Sequence, residues 1–382
     1  MSHKATRPMI AVSATNPCHL YEMALELRKL GVLSRYYSGY PRWKLKPPPQ
    51  FPMASSSWRT LAVYGALRFA PRCQKLSPQR MFRWQDDSFD RAVARMLCPA
   101  DFIHAMPGQC HETFRAAKGL GIRTVLNHAT GPVRQQLAAV AEEYRRFGLK
   151  QEKFHFFNDA YFSREAREYS LADYHCVASS VVQEQLVAEG VDKNRIWVIP
   201  YGADPAFFYP GQKPVQAPFT IAFAGQICLR KGIQYLLEAL QSEEAKGWKL
   251  EGYGVISREM ESVLPKYQPA CQTTWHGAIP RFELGKAFRK SSVLVLPSLE
   301  EGFGLVVPQA LACGIPCIVS DRTGAKDLIR HRDNGSIVPA CDAGAILEEL
   351  HFWSENPKCV KEDMSWRAPG LKMKEISEGV LV

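Results

Sequence analysis

The feature that most constrains this 382-residue chain is a strand-then-helix alternation that runs through it twice, with a single proline-rich break between. In the first run, Met9–Ala14, Phe102–Met106, Thr124–His128, Asp173–Ser179 and Ile196–Pro200 are short β-rich segments. Leu20–Leu30, Val133–Phe147 and Val181–Gly190 carry apolar residues at helical spacing. Pro41–Ser57, rich in proline and serine, reads as an excursion loop. From Asp204 to Pro218 the sequence DPAFFYPGQKPVQAP holds four prolines and no apolar period, which marks an interdomain linker. The alternation then restarts: FTIAFAG and a helix from Gly232, WKLEGYG and a helix, TTWHG and a helix over Phe282–Lys290, then VLVLPS, CIVSD and SIVP. The expected fold is therefore α/β, with parallel sheets covered on both faces by right-handed crossovers. Residues 1–203 form one domain, 204–218 the linker and 219–350 a second domain. Residues 351–382, including SWRAPGLKMKEISEGVLV, have weak periodicity and read as an atypical tail. Two such domains leave a cleft at the carboxyl ends of both sheets, where ligands of doubly wound folds bind.

With 46% hydrophobic and 23% charged residues the chain can bury two cores, which excludes wholesale disorder and collagen-like repeats. No apolar run approaches the roughly 18 residues needed to cross a bilayer, and MSHKATRPMIAVSATNP lacks the apolar stretch of a secretory signal. Eleven cysteines without Cys-x-x-Cys pairs fit reduced thiols. A cytoplasmic protein is expected.

The charge is uneven. Residues 1–214 hold 29 Lys and Arg against 18 Asp and Glu, and between Leu27 and Gln85 there are twelve cations and no carboxylate. Tyr36, Tyr37, Tyr40, Trp43, Phe51, Trp58, Tyr64 and Phe69 are interleaved with them. Such a surface, residues 28–83, suits an anionic membrane face or a lipid-linked phosphate. The stretch Trp58–Leu67 has the spacing of a helix lying flat on headgroups. The alternative is a solvated basic face whose aromatics fill a core. Nucleic acid is not expected, because no helix-turn-helix, zinc-finger or RNA-recognition pattern is present. On this reading the protein is peripheral at the inner face of the membrane.

Two segments carry chemistry. In Val293–Gly314, VLVLPSLEEGFGLVVPQALACG, a buried strand runs into Glu300 and Glu301, a Gly-Phe-Gly turn and an apolar helix starting near Leu305. Gly302 and Gly304 allow close backbone approach, and the N–H groups of Phe303 to Val306 offer an anion site at a helix start. A carboxylate there makes sense if Glu301 accepts hydrogen bonds from ligand hydroxyls, as on a sugar; the alternative is a plain turn with surface glutamates. In Gly225–Gly232, GQICLRKG, a second strand-turn-helix places Arg230 and Lys231 at the turn. That suits a diphosphate, although the P-loop pattern is absent. No His/Cys/Asp cluster has metal spacing, and Asp86-Asp87 reads as a solvated or capping pair.

From about Phe219 to Leu350 the chain resembles the C-terminal domain of family 4 glycosyltransferases, which have the GT-B fold of two facing Rossmann-like domains. The resemblance rests on FAGQICLRKGIQYLLEAL, LEGYG, WHGAIP, VLPSLEEGFGLVVPQALACGIPCIVSD and TGAKDLI…NGSIVP, spaced motifs in the family's order. LADYHCVASSVVQEQLVAEGV and RIWVIPYGAD extend it loosely into the first half.

The resemblance implies a retaining transfer of a hexose from a UDP- or GDP-sugar to a saccharide or lipid-linked acceptor in cell-surface polysaccharide synthesis, with no cofactor or metal required. The family has two glutamates with seven residues between them, the first on the donor sugar and the second on the ribose. Here they fall on Glu301 and Gln309, and an amide still makes hydrogen bonds. The family's diphosphate cations fall on Gln226 and Lys231, and Arg230, at an adjacent position, is the residue that could supply the missing charge. Together with Gly225, Gly302, Phe303, Gly304, Leu305 and Val306 these residues make up the implied donor site. Catalysis is assigned to Glu301 and Lys231, with His128 as the histidine near the reacting sugar; His104 stands behind it and His19 is on the acceptor side. Glu251 and Asp327 are read as supporting residues, and Cys313 and Cys317 as packing residues. Two other readings remain: a nucleotide-sugar epimerase of the same fold, and a non-catalytic member that binds a nucleotide sugar or scaffolds a pathway complex. Gln226, Gln309 and the unusual C-terminus motivate the latter.

Overall fold

The computed structural model describes residues 7–69, 78–151, 159–211 and 218–381. The first half builds a seven-stranded sheet from β1 (Ile10–Ala14), β2 (Leu33–Ser38), β3 (Met53–Ser55), β4 (Phe102–Ala105), β5 (Arg123–His128), β6 (Tyr174–Val177) and β7 (Ile196–Val198). Their order is β3-β2-β1-β4-β5-β6-β7, and every pairing is parallel. Its helices are α1 (His19–Lys29), α2 (Arg42–Leu45), α3 (Trp58–Phe69), α4 (Pro78–Met96), α5 (His111–Gly119), α6 (Val133–Arg146), α7 (Asp159–Leu171) and α8 (Ser180–Ala188). The second half builds a six-stranded sheet from β8 (Thr220–Ala224), β9 (Lys249–Tyr253), β10 (Gln272–Trp275), β11 (Val293–Leu296), β12 (Cys317–Ser320) and β13 (Gly335–Val338), in the order β10-β9-β8-β11-β12-β13 and again all parallel. Its helices are α9 (Ile233–Ala239), α10 (Arg281–Lys290), α11 (Val306–Ala312), α12 (Ala343–Glu355) and α13 (Arg367–Leu381).

The central strands are buried along their whole length, Ile10–Ala14 and Val293–Leu296 among them, as expected of parallel strands covered on both faces. Strand order reverses between β1 and β4 in one sheet and between β8 and β11 in the other. Those two switch points place crevices at the carboxyl ends of the sheets.

Three expectations are corrected. Pro41–Ser57 is not a plain loop: it forms α2 and the edge strand β3, which pairs Tyr36–Ser38 with Met53–Ser55. The helix expected after WKLEGYG is two short 3₁₀ turns, Arg258–Glu261 and Leu264–Lys266, the second with Pro265 at its start. The segment read as an atypical tail is ordered structure: α12 runs to Glu355, and the chain then crosses back. Val360 N–H bonds the Gly314 carbonyl at 3.0 Å, and Ala203 N–H bonds the Met364 carbonyl at 2.6 Å. The last helix, α13, buries Pro369, Gly370, Met373 and Ser377 against α1 of the first domain. At Gly370 a Cβ would stand 2.7 Å from Glu26 Cγ, so this helix docks through a bare backbone. The linker segment 212–217 lies outside the described residues.

One apolar core runs without a break from Ile10 and Leu27 through Tyr201 and Phe208 to Leu294 and Val319, tying the two sheets together.

Candidate active site

The site is built around the β8/β11 switch point. Gly225 ends β8 at φ 130, and the backbone of Gly254, at φ 153, packs so closely on its carbonyl that no side chain fits. The chain then makes the turn Leu229–Lys231 and enters α9 through Gly232 at φ 71, where a Cβ would collide with the Pro297 carbonyl. These glycines press the loop after β8 onto the loop after β11, and Leu299 N–H bonds the Arg230 carbonyl at 2.9 Å. Two cations and two carboxylates are thereby brought face to face. Arg230 Nη1 bonds the Glu300 carbonyl at 2.8 Å and lies 3.3 Å from Glu300 Oε2 and 3.4 Å from Glu301 Oε2. Lys231 Nζ is paired directly with Glu301 Oε2.

The cluster is nearly dry, with the Lys231 and Glu301 side chains 12% and 10% exposed. Burial, reinforced by the Arg230 charge, lowers the Lys231 ammonium to about 7. Burial raises the Glu300 carboxyl, against the pull of Arg230 and Lys231. Beyond Glu301 the chain turns through Gly302, Phe303 and Gly304, the last at φ 92, into α11. The N–H groups of Phe303, Gly304 and Leu305 have no partner among the described residues. Leu305, Val306 and Gln309 are half-buried along the same edge, while Gln226 is exposed at the mouth of the β8 loop. The sequence-derived donor residues thus lie on the loops after β8 and β11 and the first turn of α11, with Arg230, Lys231 and Glu301 in direct contact.

On the facing domain the histidines are placed differently. The His128 ring is 2% exposed, with Nε2 2.9 Å from His175 Nδ1, stacked on His175 and edge-on to Tyr169. Its ring therefore points into the sheet face under α7. The neighbouring backbone of Ala129 and Thr130 is what meets the C-terminal loops: a Cβ on Gly302 would stand 2.6 Å from Thr130 Cα. His104 is fully buried, its Nδ1 2.8 Å from Asn127 Nδ2. His19 is stacked on Tyr201 at 4.2 Å, with the Tyr201 hydroxyl 3.1 Å from its Nε2. Burial drives His19 and His104 down to about 3 and His175 to about 4, so these rings are neutral. Asp86 and Asp87 are half-buried rather than fully solvated. Asp87, Asp90 and Glu168 surround Arg164, Asp90 caps α5 by accepting Glu112 and Thr113 N–H at 2.9 and 2.8 Å, and burial holds the Asp86 carboxyl up at about 7.

Several residues that hold the site together went unread in the sequence. Ser179 Oγ donates to the Gly302 carbonyl at 2.6 Å across the domain boundary. Ser180 donates both N–H and Oγ to the Asp327 carboxylate at 2.6 Å. Buried Glu143 on α6 accepts from the Tyr235 hydroxyl at 2.7 Å and Gln234 Nε2 at 3.1 Å on α9. Glu251 holds His276, whose ring stacks on Tyr253 at 4.8 Å. Cys313 and Cys317 are buried packing residues. Among the described residues, no group of three or more His, Cys, Asp or Glu is placed to hold a metal ion.

Residues 210–370, which contain both site loops, match the family model for glycosyl transferases group 1. The match falls on the second domain and the returning C-terminal segment. A putative colanic acid biosynthesis glycosyltransferase, WcaL of Escherichia coli strain K12, is 26% identical over 179 residues, or 44% of this chain and 44% of that protein. The chain spans about half the length or less of the curated relatives it matches first. Whole-fold likeness is broader. A glycosyltransferase from Rickettsia africae superposes with a TM-score of 0.64 at 15% identity, covering 98% of this chain and 99% of that one. Anabaena HepE, solved in complex with UDP, superposes with a TM-score of 0.59 at 13% identity, covering 97% and 95%. The fold is GT-B: the β8–β13 domain and the β1–β7 domain face each other.

Proposed function

We propose that the protein is a retaining glycosyltransferase of polysaccharide biosynthesis, moving a hexose from a UDP- or GDP-sugar to a saccharide or lipid-linked acceptor. The observation that carries this reading is the meeting of Lys231 and Arg230 with Glu301 beside three unpartnered N–H groups, from two loops locked together by glycines. Cations and free N–H groups in a dry crevice suit a diphosphate, and a carboxylate next to them suits sugar hydroxyls. HepE, of like fold, holds UDP, and WcaL bears a colanic acid name.

In this reading the donor diphosphate draws Lys231 away from Glu301. Arg230 and Lys231 then stabilise the negative charge that grows on the leaving nucleoside diphosphate, in a site too dry for water to do so. Glu301, released from the ammonium, accepts the sugar hydroxyls and fixes the anomeric carbon for attack. The acceptor hydroxyl attacks on the face the diphosphate leaves, giving up its proton to a β-phosphate oxygen. Gln309 meets the ribose, and no metal takes part. The acceptor approaches from the β1–β7 domain, whose basic edge faces an anionic membrane surface on the cytoplasmic side.

The return of α13 to α1 removes one motive for a non-catalytic member, since the element that couples the domains is in place. A thermal-shift screen with UDP, GDP, ADP and their sugars in the presence of EDTA tests the proposal. One nucleotide family should raise the unfolding temperature, and its sugar should be transferred with retention of anomeric configuration. Absence of both stabilisation and transfer across the set would refute it.

A further inference from the structure

Helix α6 belongs to the first domain by sequence but not by packing. Its Val140 and Tyr144 sit in the apolar core of the second domain with Leu229, Ile233 and Leu299. Near its start, Gln135 Nε2 donates to the Gln185 carbonyl of α8 at 3.0 Å. Between α6, α8 and the loops after β11 and β12 there is a cavity of about 640 Å³, inside the range of roughly 300–1,000 Å³ common for small-ligand pockets. Ala138, Ala139, Val181, Ala188 and Leu299 give it smooth apolar walls. Lys231, Glu301, Gly302 and Gln309 do not line it, so it is a separate space from the donor crevice.

Glu300 is the residue that the two spaces share. It is 2% exposed and lines the cavity. Its Oε2 lies 3.3 Å from Arg230 Nη1, while its Oε1 has no hydrogen-bond partner among the described residues. Gln185 of α8, which also lines the cavity, has a buried Oε1 without such a partner. A buried acceptor without a donor is unfavourable, and folded proteins satisfy nearly all of them from protein, water or ligand. Two acceptors in one cavity call for a ligand that donates hydrogen bonds. Charge narrows the choice. Arg230 behind Glu300, with Arg322 and Lys326 among the lining residues, weighs against a cation; Glu300, Glu184 and Asp321 weigh against an anion. What fits is a neutral polyhydroxyl molecule with one apolar face.

We propose that this cavity is a saccharide-binding subsite, distinct from the donor crevice, whose occupant donates hydroxyl hydrogen bonds to Glu300 Oε1 and Gln185 Oε1 and lays a ring face on the alanine wall. The same carboxylate ties the cavity to the donor crevice. Hydroxyls on Oε1 favour ionised Glu300, against the burial that raises its carboxyl. Ionised Glu300 in turn favours the ammonium form of Lys231, which the diphosphate needs. Saccharide in the cavity therefore tightens nucleotide binding, and by linkage nucleotide tightens saccharide binding by the same factor. This coupling rests on the proposed donor site; the binding of saccharide does not.

Calorimetric titration of the full chain with glucose, galactose, mannose, maltose and lactose, with and without the nucleotide selected by thermal shift, tests the proposal. At least one of these sugars should bind in the absence of nucleotide, and saturating nucleotide should strengthen that binding by about fivefold or more. Ala188→Trp, which fills the cavity from an exposed position on α8, should abolish saccharide binding and leave nucleotide affinity and unfolding temperature unchanged. Glu300→Gln keeps an acceptor but not the charge, so it should weaken saccharide binding by about tenfold and remove the coupling. Tighter binding of a disaccharide marks the occupant as a glycan segment, and equal affinities mark it as a single sugar; both uphold the site. Binding of none of the five sugars would overturn it. So would binding that survives Ala188→Trp, and its loss in Glu301→Ala would then place the sugar in the donor crevice. Saccharide affinity indifferent to nucleotide would break the link through Glu300. The nucleotide thermal shift reports on the donor site separately: saccharide binding that Ala188→Trp abolishes, without any nucleotide shift, leaves the cavity standing and the donor reading not, and the converse leaves the donor reading standing.

Discussion

At the carboxyl ends of β8 and β11 the chain presses glycine-bordered loops together so that Arg230 and Lys231 meet Glu300 and Glu301, whereas at the ends of β4 and β5 it closes His104 and His128 into packed contacts with Asn127 and His175. Both sheets are parallel and both reverse at an internal switch point, so topology alone does not separate them. What separates them is how polar groups are satisfied. The C-terminal loops leave three N–H groups without a partner among the described residues and charges whose partners are one another. The N-terminal histidines are neutral, buried and committed. A parallel sheet supplies the crevice; exchangeable polar groups at its rim make it a site.

The sharpest way to break this comparison is Glu301→Ala. If the C-terminal loops carry the chemistry, turnover with the matching nucleotide sugar should fall by roughly 10²-fold or more, because sugar orientation is lost, while the chain still folds with an unfolding temperature lowered by the loss of the buried partner of Lys231. Near-normal turnover would remove Glu301 from the mechanism. Lys231→Ala should come next, weakening nucleotide binding by about tenfold through loss of a charge-assisted contact. The pH dependence follows from the sign of its shift: the ammonium is lowered to about 7, so it is charged below that pH and neutral above. Nucleotide affinity in the wild type should decline as pH rises through about 7, and isothermal titration should show that slope vanish in Lys231→Ala.

His128→Phe tests the other side. It removes the partner of His175 Nδ1 in a buried site, so stability should drop by about 1–3 kcal/mol while nucleotide affinity stays the same. Urea unfolding and the thermal-shift screen together read out both. The buried histidines also fix a pH trend. His175 is ordinarily near 6.5 and is held at about 4 in the fold. Between those values the unfolded chain binds the proton and the folded one does not, so this ring's contribution to stability falls as pH drops from about 6.5 to 4. Loss of transfer in His128→Phe without loss of stability would place this ring at the reacting sugar and dissolve the distinction between the two sheets.

The elements that the sequence made plain share one property: they are strongly apolar runs bounded by glycine or proline. FTIAFAG, VLVLPS and CIVSD became β8, β11 and β12, and the restart after the proline-rich break separated the two sheets. Lys231 and Glu301 were legible because glycine spacing around them demands close loops. Helix α13 was not, because its docking face is built on Pro369, Gly370 and Ser377; small residues that let two helices approach closely leave no apolar period to read. The aim of His128 was hidden for another reason. A strand period of two assigns alternate residues to opposite faces, but it does not say which face the crevice loops cover. The interdomain clasps, Ser180 with Asp327 and Glu143 with Tyr235, join residues more than ninety positions apart and have no local signature at all.

The smallest effect should come from Gln309, where the family pattern has a second glutamate. An uncharged amide on the ribose keeps a hydrogen bond but gives up its charge-assisted strength, so Gln309→Ala should weaken nucleotide binding by only about 1 kcal/mol, or roughly fivefold. Gln309→Glu should strengthen it by a similar factor if the ribose hydroxyls lie against this half-buried face of α11. The pair of variants is informative because their expected signs oppose. Calorimetric titration showing that both weaken binding equally would mean that residue 309 packs rather than bonds, and the ribose would have to be sought along the Gly254 and His276 loops instead.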